Sequence, residues 1–328
     1  MNEVAATPST VQGGAALRAP ATTRPLDLSG ARSRNVSERI IGALLFACGA
    51  LSILTTLGII AVLIFETAEF FRSVPITDFL TGTEWRPNRN AERGEWGVLP
   101  LVSATLTYAA IAMVVAVPVG LMTAIYLSEY AHSSVRAFFK PILEILAGIP
   151  TVVYGFFALT FLTPQILQNL FSELSIYNVL SAGLAIGVLT IPLVASLSED
   201  ALGAVPRSLR EGAYALGATK LETSVRVVFP AAISGIVASI ILALGRAVGE
   251  TMIIVVAGGA RVGDVPTDPF QGAQAMTSYI VNVLQGDTTR GDPRYFSLFA
   301  VGLTLFVITF ILNLISRAFV ARFREVYQ

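Results

Sequence analysis

Long apolar runs, each about the length of a membrane crossing, alternate with polar segments along most of this chain. A hydrocarbon core of about 30 Å is crossed by a helix of roughly 20 residues. An isolated segment in lipid must satisfy its own backbone hydrogen bonds, and only a helix does so locally. The pattern therefore predicts six transmembrane helices, at residues 40–65, 98–128, 141–163, 176–198, 227–257 and 295–316.

The first 36 residues differ from everything that follows. They are rich in Ala, Thr, Ser, Pro and Arg and show no apolar periodicity. Such a composition buries too little apolar surface to offset the entropy of ordering the chain. We therefore predict a disordered tail over 1–36 and a single transmembrane domain over 37–328.

The composition supports a membrane protein and excludes several other classes. Hydrophobic residues make up 54% of the chain and charged residues only 13%, and the mean hydropathy is +0.70. Soluble domains usually carry about 25% charge. The net charge is zero, so there is no basic footprint for nucleic acid. With one cysteine, Cys48, and one histidine, His132, the chain has no internal disulfide and no recognisable metal-ligand spacing.

Positively charged residues are distributed unevenly among the segments outside the predicted spans. The two terminal segments, 129–140 and 199–226 together carry twice as many Lys and Arg residues as the remaining segments. Segments rich in Lys and Arg tend to stay in the cytoplasm. We therefore predict a multi-pass protein with both termini cytoplasmic, and with residues 66–97, 164–175 and 258–294 outside.

The loop between the fourth and fifth predicted spans, residues 199–226, is long but patterned. Gly217 fits the position just after a helix, where a left-handed residue reverses the chain. Pro230 fits the first turn of the fifth span, where a missing N–H costs least. The pattern predicts a helix, a glycine turn and a second helix on the cytoplasmic surface. Such a hairpin can dock a partner and pass its motion to the spans on either side.

This hairpin resembles the coupling-helix signature of ATP-binding-cassette importer permeases. The signature reads Glu-Ala-Ala, three residues, Gly, nine residues, Ile, one residue, Leu-Pro, and this chain keeps its spacing. The departures, Gly212, Val227 and Phe229, are small or apolar replacements. The resemblance implies an all-α integral membrane protein with the type I importer permease fold. It also implies that contact with the ATPase is made through Glu211, Gly212, Ala213, Gly217 and Pro230.

Four stretches narrow the resemblance to the permeases of phosphate importers, and among them to the C-type subunit. They read "REGAYALGATKLET", "GRAVGETM", "AGIPTVVYGF" and "GVLPLVSATL", and the likeness covers roughly residues 38–325. It implies a bacterial plasma (inner) membrane protein that pairs with an A-type permease. Its other implied partners are two copies of an ATPase subunit and an extracytoplasmic phosphate-binding protein. Sulfate and molybdate permeases share the coupling loop, so another oxyanion remains an alternative.

The chain itself lacks the means to hydrolyse ATP. A phosphate-cradling loop of the G-x-x-x-x-G-K-[ST] type needs a lysine after a glycine. The only lysines are Lys140 and Lys220, and neither follows a glycine. We therefore predict a non-catalytic subunit that binds no cofactor, with ATP and Mg²⁺ held by the partner ATPase.

Two charged residues interrupt the apolar run of the fifth predicted span. Arg246 and Glu250 are four residues apart, so on a continuous helix they share one face. A charge at the bilayer centre costs about 2.5–3.5 kcal/mol and normally faces protein or a water-filled cavity. One interpretation is a mutual ion pair that fixes the span to a neighbour. The other is an anion station on a substrate path that includes Arg246, Glu250 and Thr251.

Weaker signals point to the third predicted span and to the last outside loop. Gly148, Pro150 and Tyr154 form a flexible patch that either lines the path or simply packs. Within 258–294, "AMTSYIVNVLQG" has the spacing of a short amphipathic helix. A secondary transporter with Glu250 as its coupling acid, or a channel, remains a competing hypothesis. A carrier powered by an ion gradient would not need a docking hairpin.

Overall fold

A computed structural model describes the backbone of residues 31–323 and the side chains of residues 38–321. Most of the predicted tail lies outside the described residues, but its last part, from Ala31, already belongs to the first helix, Ala31–Ser73. Within the described part of the chain, six helices are long and apolar enough to cross a membrane, which confirms the predicted number. They are span 1 Glu38–Ser73, span 2 Leu99–Tyr130, span 3 Thr151–Leu170, span 4 Val179–Gly203, span 5 Lys220–Val248 and span 6 Pro293–Ala321.

The helix that carries span 1 passes through two compact units, of which one ends at Gly58 and the other begins at Ile59. In the first unit, large apolar side chains from Ile40 to Leu57 are exposed to more than half of their surface. A helix that is apolar all round suits a lipid environment. The second unit contains all the remaining elements described below.

Spans 2 and 4 form the centre of the second unit, and small residues allow their backbones to approach closely. A Cβ atom at Gly187 would lie 3.0 Å from the carbonyl oxygen of Ala112. A Cβ atom at Gly120 would lie 2.8 Å from Cβ of Val194. Small residues at a helix crossing make such close packing possible in membranes. Around this crossing, Tyr108, Ile186 and Leu189 are almost fully buried.

The structure differs from the prediction at the third span, which was expected over 141–163. Two helices share this stretch: Ser133–Gly148, and a second that begins at Thr151 and forms span 3. The chain is extended at Ile149, with ψ of 130°. The cause is Pro150, because a proline ring disfavours the helical conformation in the preceding residue. The span therefore starts and ends later in the chain than the apolar run suggested.

The fifth span also differs from the prediction, which gave one continuous helix over 227–257. The observed helix starts earlier, because the second helix of the hairpin continues through a π-helical segment, Ser224–Val228, into Phe229–Val248. It ends at Gly249, and after a short break helical turns resume at Met252 and continue as the π-helical segment Ile254–Gly258. Glu250 and Thr251 lie in that break.

The end of the bundle opposite the hairpin, here called the distal end, is closed by a small sheet and a short helix. The strands β1 Glu84–Arg86, β2 Glu95–Trp96 and β3 Gly263–Asp264 pair antiparallel in the order β2-β1-β3. The short helix, Met276–Gln285, occupies the predicted position. It packs on a cluster of edge-to-face aromatic rings that includes Trp85 and Tyr279, 4.9 Å apart.

Candidate functional site

The hairpin between spans 4 and 5 has the predicted helix-turn-helix form. Its first helix is Arg207–Ala215, and Gly217 follows in the left-handed region with φ of 85°. The Gly217 N–H donates to Tyr214 O at 2.9 Å, and the Ala218 N–H donates to Ala213 O at 3.1 Å. These two bonds satisfy carbonyls that would otherwise lack partners at the helix end.

The second helix of the hairpin begins with a reciprocal cap. The Thr219 hydroxyl accepts a hydrogen bond from the Glu222 N–H, and the Glu222 carboxylate accepts one from the Thr219 N–H at 2.9 Å. The turn is thus specified on both sides by local chemistry.

The tip of the hairpin exposes apolar side chains. Leu216 is 91% exposed, and Leu221 and Tyr214 are also exposed. Glu211 and Gly212 lie on the exposed surface of the first helix. Exposed apolar residues that cluster on a small element commonly mark a protein interaction site. Of the other residues predicted to couple, Ala213 is half-buried, Gly217 forms the turn and Pro230 is exposed on the second helix.

A buried ion pair that the sequence analysis missed fixes the hairpin to the bundle. The Arg210 guanidinium lies 2.9 Å from the Glu129 carboxylate at the end of span 2. It also donates to the carbonyl oxygens of Leu202 at 2.8 Å and Val205 at 2.6 Å, at the end of span 4. The side chains of Glu129 and Arg210 are 4% and 17% exposed. Nothing in the local pattern predicts this pair, because the two residues are 81 positions apart.

A second group of charges lies on the other side of the end of span 4. Glu199 is fully buried, and its carboxylate forms an ion pair with Arg136 at 2.5 Å. Lys140 lies 3.9 Å from Glu199 and 3.3 Å from Asp200. Lys140 thus forms no ion pair with Glu144, which follows it by four residues on the same helix. The acids of span 4 are its partners instead, and they fix the helix Ser133–Gly148 to this span.

Arg246 faces a cavity between three helices. The cavity has a volume of about 200 Å³. Among the ion pairs formed by residues 38–321, none involves Arg246. The cavity is lined by two cationic side chains, one acid and one hydroxyl. These polar residues are Arg246 of span 5, Lys140 and Glu144 of the helix Ser133–Gly148, and Ser196 of span 4.

Glu250 is separated from Arg246 by the break in the helix, so the expected shared face does not exist. Glu250 is buried, whereas Arg246 is exposed. The Ile253 N–H donates to the Glu250 carboxylate at 3.3 Å, and the Thr277 hydroxyl donates to the Glu250 carbonyl at 2.8 Å. The Glu250 carboxylate thus caps the turns that resume after the break. The neighbouring Thr251 donates to Gly249 O at 3.2 Å.

The three residues predicted as path-lining do not border the Arg246 cavity. Tyr154 is buried, and its hydroxyl donates to Leu146 O at 2.9 Å across the break that precedes span 3. Gly148 and Pro150 are exposed on that break. A Cβ atom at Gly155 would lie 3.1 Å from Cα of Ile253, so spans 3 and 5 touch directly beyond their breaks.

A larger cavity, of about 630 Å³, opens at the distal end beside the small sheet. Two arginines, Arg86 and Arg261, are among its lining residues. At the neighbouring loop the Tyr108 hydroxyl is within hydrogen-bond distance of Gly258 O and Ala273 O. Within residues 38–321, no three His, Cys, Asp or Glu side chains are placed so that they could hold a metal ion.

Comparison with known proteins places this geometry in a family. The profile of the binding-protein-dependent transport system inner membrane component matches residues 116–325. The phosphate transport system permease protein PstC of Mesorhizobium japonicum is 34% identical over 83% of this chain and 87% of its own length. PstC 1 of Mycobacterium tuberculosis is 34% identical over 74% of this chain and 81% of its own. The probable ABC transporter permease protein YqgH of Bacillus subtilis is 32% identical over 88% of this chain and 93% of its own length.

Solved structures support the fold. A chain of a bacterial alginate ABC transporter, solved with an alginate-bound periplasmic protein, superposes with a TM-score of 0.63 at 17% identity. The match covers 89% of this chain and 99% of the other. A chain of the inward-facing MetNI methionine ABC transporter gives a TM-score of 0.52 at 18% identity. This match covers 70% of this chain and 95% of the other. The chain belongs to the family of binding-protein-dependent transport system inner membrane components, as a multi-pass, non-catalytic permease subunit of an ABC importer.

Proposed function

We propose that this chain is the C-type permease subunit of an ATP-driven importer of inorganic phosphate. The observation that carries the proposal is the 34% identity, over most of both chains, to two permeases named for phosphate transport. The chain would form half of the translocation path, and an A-type permease would form the other half. The ion-coupled carrier and the channel do not agree with membership of a binding-protein-dependent family.

In the proposed orientation the hairpin and both termini are cytoplasmic and the distal end faces outside. The excess of Lys and Arg in the segments on the hairpin side supports this orientation. Two copies of an ATPase subunit would bind ATP and Mg²⁺, and one would contact the exposed hairpin tip around Leu216. A phosphate-binding protein would deliver its ligand at the distal end, where the larger cavity opens.

Coupling to the ATPase is assigned to the signature residues of the hairpin. An exposed acid and small residues on the first helix allow close approach by a partner, and the left-handed glycine fixes the angle of the turn. The second helix is continuous with span 5, so a displacement of the tip reaches the membrane without a flexible joint. The assigned residues are Glu211, Gly212, Ala213, Gly217 and Pro230.

The Arg246 cavity is the proposed anion station. A guanidinium presents a planar fork of donors that suits an oxyanion, and Lys140 adds a second positive charge. Glu144 lines the same cavity and repels an anion, so the contact would be weak and transient. Tight capture would belong to the binding protein. Glu250 and Thr251 contribute by forming the break in span 5 beside Arg246, and Gly148, Pro150 and Tyr154 by forming the break before span 3.

The assembled complex provides the test. It would be reconstituted in liposomes, and ATP hydrolysis and uptake would be measured with binding proteins loaded with phosphate, sulfate or molybdate. We expect phosphate to stimulate both activities. Stimulation by sulfate or molybdate but not by phosphate would show that the complex imports another oxyanion. Uptake that persists without ATP would overturn the ATP-driven mechanism, and the chain by itself should hydrolyse no ATP.

A further inference from the structure

Arg210 is the residue that joins the hairpin to two spans at once. It lies on the first hairpin helix, Arg207–Ala215, and its donors are divided between two elements. One nitrogen contacts both the Glu129 carboxylate of span 2 and the Leu202 carbonyl of span 4, and another contacts the Val205 carbonyl. A single planar group with several fixed donors is suited to such a multiple contact.

The burial of this contact makes it rigid. With Glu129 4% exposed and Arg210 17% exposed, water has little access to replace either partner. Removing one partner would leave the other charge buried without compensation, which is strongly unfavourable. The contact therefore resists opening when the hairpin is displaced, in contrast to an exposed ion pair.

The same end of span 4 also holds the helix that borders the Arg246 cavity. Glu199 and Asp200 are fixed to Arg136 and Lys140 of the helix Ser133–Gly148. Leu143, Glu144 and Ala147 of that helix line the cavity. A continuous series of contacts therefore leads from the hairpin, through the end of span 4, to the cavity wall.

We infer that Arg210 and Glu129 are positioning residues that make the hairpin, the end of span 2 and the end of span 4 move as one body. Through this body the motion of an ATPase would change the Arg246 cavity. The inference rests on the proposed function, since it needs an ATPase at the hairpin and a substrate in the cavity. Neither residue touches substrate, so their loss should uncouple the two activities rather than abolish hydrolysis.

The test compares Arg210→Gln, Glu129→Gln and Arg210→Lys with a matched control, Arg207→Gln. Arg207 is exposed on the same helix and takes part in none of the ion pairs among residues 38–321. The readout is the amount of phosphate imported per ATP hydrolysed by the assembled complex in liposomes. We expect this ratio to fall about tenfold in Arg210→Gln and Glu129→Gln, a change within the range of known coupling residues. Arg210→Lys should be intermediate, because it keeps the charge and loses the fork.

A docking defect would lower hydrolysis and uptake together and leave their ratio unchanged, so the ratio isolates transmission. Ratios equal to that of Arg207→Gln in all three variants would overturn the inference. Loss of assembly in all three would also overturn it, because the pair would then serve only the fold. If the wild-type complex itself showed no phosphate-dependent hydrolysis, the proposed function would fail instead.

Discussion

Charged residues at the hairpin end and charged residues around the far end of span 5 are arranged in opposite ways. At the hairpin end, the Glu129 side chain is buried and the Arg210 side chain is largely buried, and the two are in contact, 2.9 Å apart. In span 5, Arg246 and Glu250 are separated by a break in the helix, and Arg246 faces a cavity instead of a partner. The sequence spacing predicts a pair between Arg246 and Glu250, which does not form, and it does not predict the pair between Arg210 and Glu129, which does.

The difference separates two uses of charge inside a membrane protein. A largely buried charge that is paired and hydrogen-bonded is costly to separate from its partners, and it therefore fixes the elements that it touches. A charge that faces a cavity keeps its donors available to a ligand. An unpaired charge at membrane depth is unfavourable for stability, so its presence indicates a function. We therefore expect changes at the two places to have different consequences.

The largest effect is expected from Arg246→Gln. Hydrogen bonds to charged groups contribute about 1.5–3 kcal/mol, so phosphate uptake should fall at least about tenfold. The thermal stability of the complex should stay the same, because Arg246 takes part in none of the ion pairs formed among residues 38–321. Arg317→Gln, at an exposed arginine of span 6, is the control. Undiminished uptake by an assembled Arg246→Gln complex would remove the anion station.

A smaller effect is expected at Glu250, where two substitutions separate the cap from the charge. Glu250→Gln keeps an oxygen that accepts the Ile253 N–H, whereas Glu250→Ala removes it. Loss of a capping acceptor costs about 1 kcal/mol. The melting temperature of the purified complex should therefore be lower in Glu250→Ala and nearly unchanged in Glu250→Gln. Equal melting temperatures for the two variants would show that the cap contributes nothing.

The last comparison concerns two glycines of the hairpin, whose substitutions are expected to have opposite effects on stability. Gly217 has φ of 85°, and Gly212 lies within the first helix, with open space around both. Gly217→Ala forces a side chain into the left-handed region at a cost of about 1–2 kcal/mol. Gly212→Ala should instead gain about 0.5–1 kcal/mol of helix stability. Unfolding midpoints should shift in opposite directions, and a shift in the same direction would contradict the assigned turn.

Features that depend on neighbouring residues were predicted well from the sequence. Each predicted apolar run overlaps one of the six spans, because lipid leaves a long apolar segment few alternatives to a helix. Gly217 marked the turn because few other residues adopt its backbone conformation, and the helix Met276–Gln285 followed from its apolar spacing. The deviation at span 3 also has a local cause, Pro150, that an apolar run does not reveal.

Features that depend on distant residues could not be predicted from one sequence. Glu129 and Arg210 are ordinary polar residues in their own segments, and only the packing of spans 2 and 4 brings them together. The small distal sheet has strands of two or three residues, too short to leave an alternating pattern. The cavity at Arg246 likewise needs Lys140, which precedes it by more than a hundred residues.

The aromatic cluster at the distal end gives the chain a built-in optical probe. Both tryptophans of the sequence, Trp85 and Trp96, lie in it with their rings 6.0 Å apart, and both are nearly inaccessible to solvent. Intrinsic indole emission from this subunit therefore originates from one place only. The emission spectrum should change when protein binding rearranges the distal end, and it should not change when the opposite end of the molecule moves.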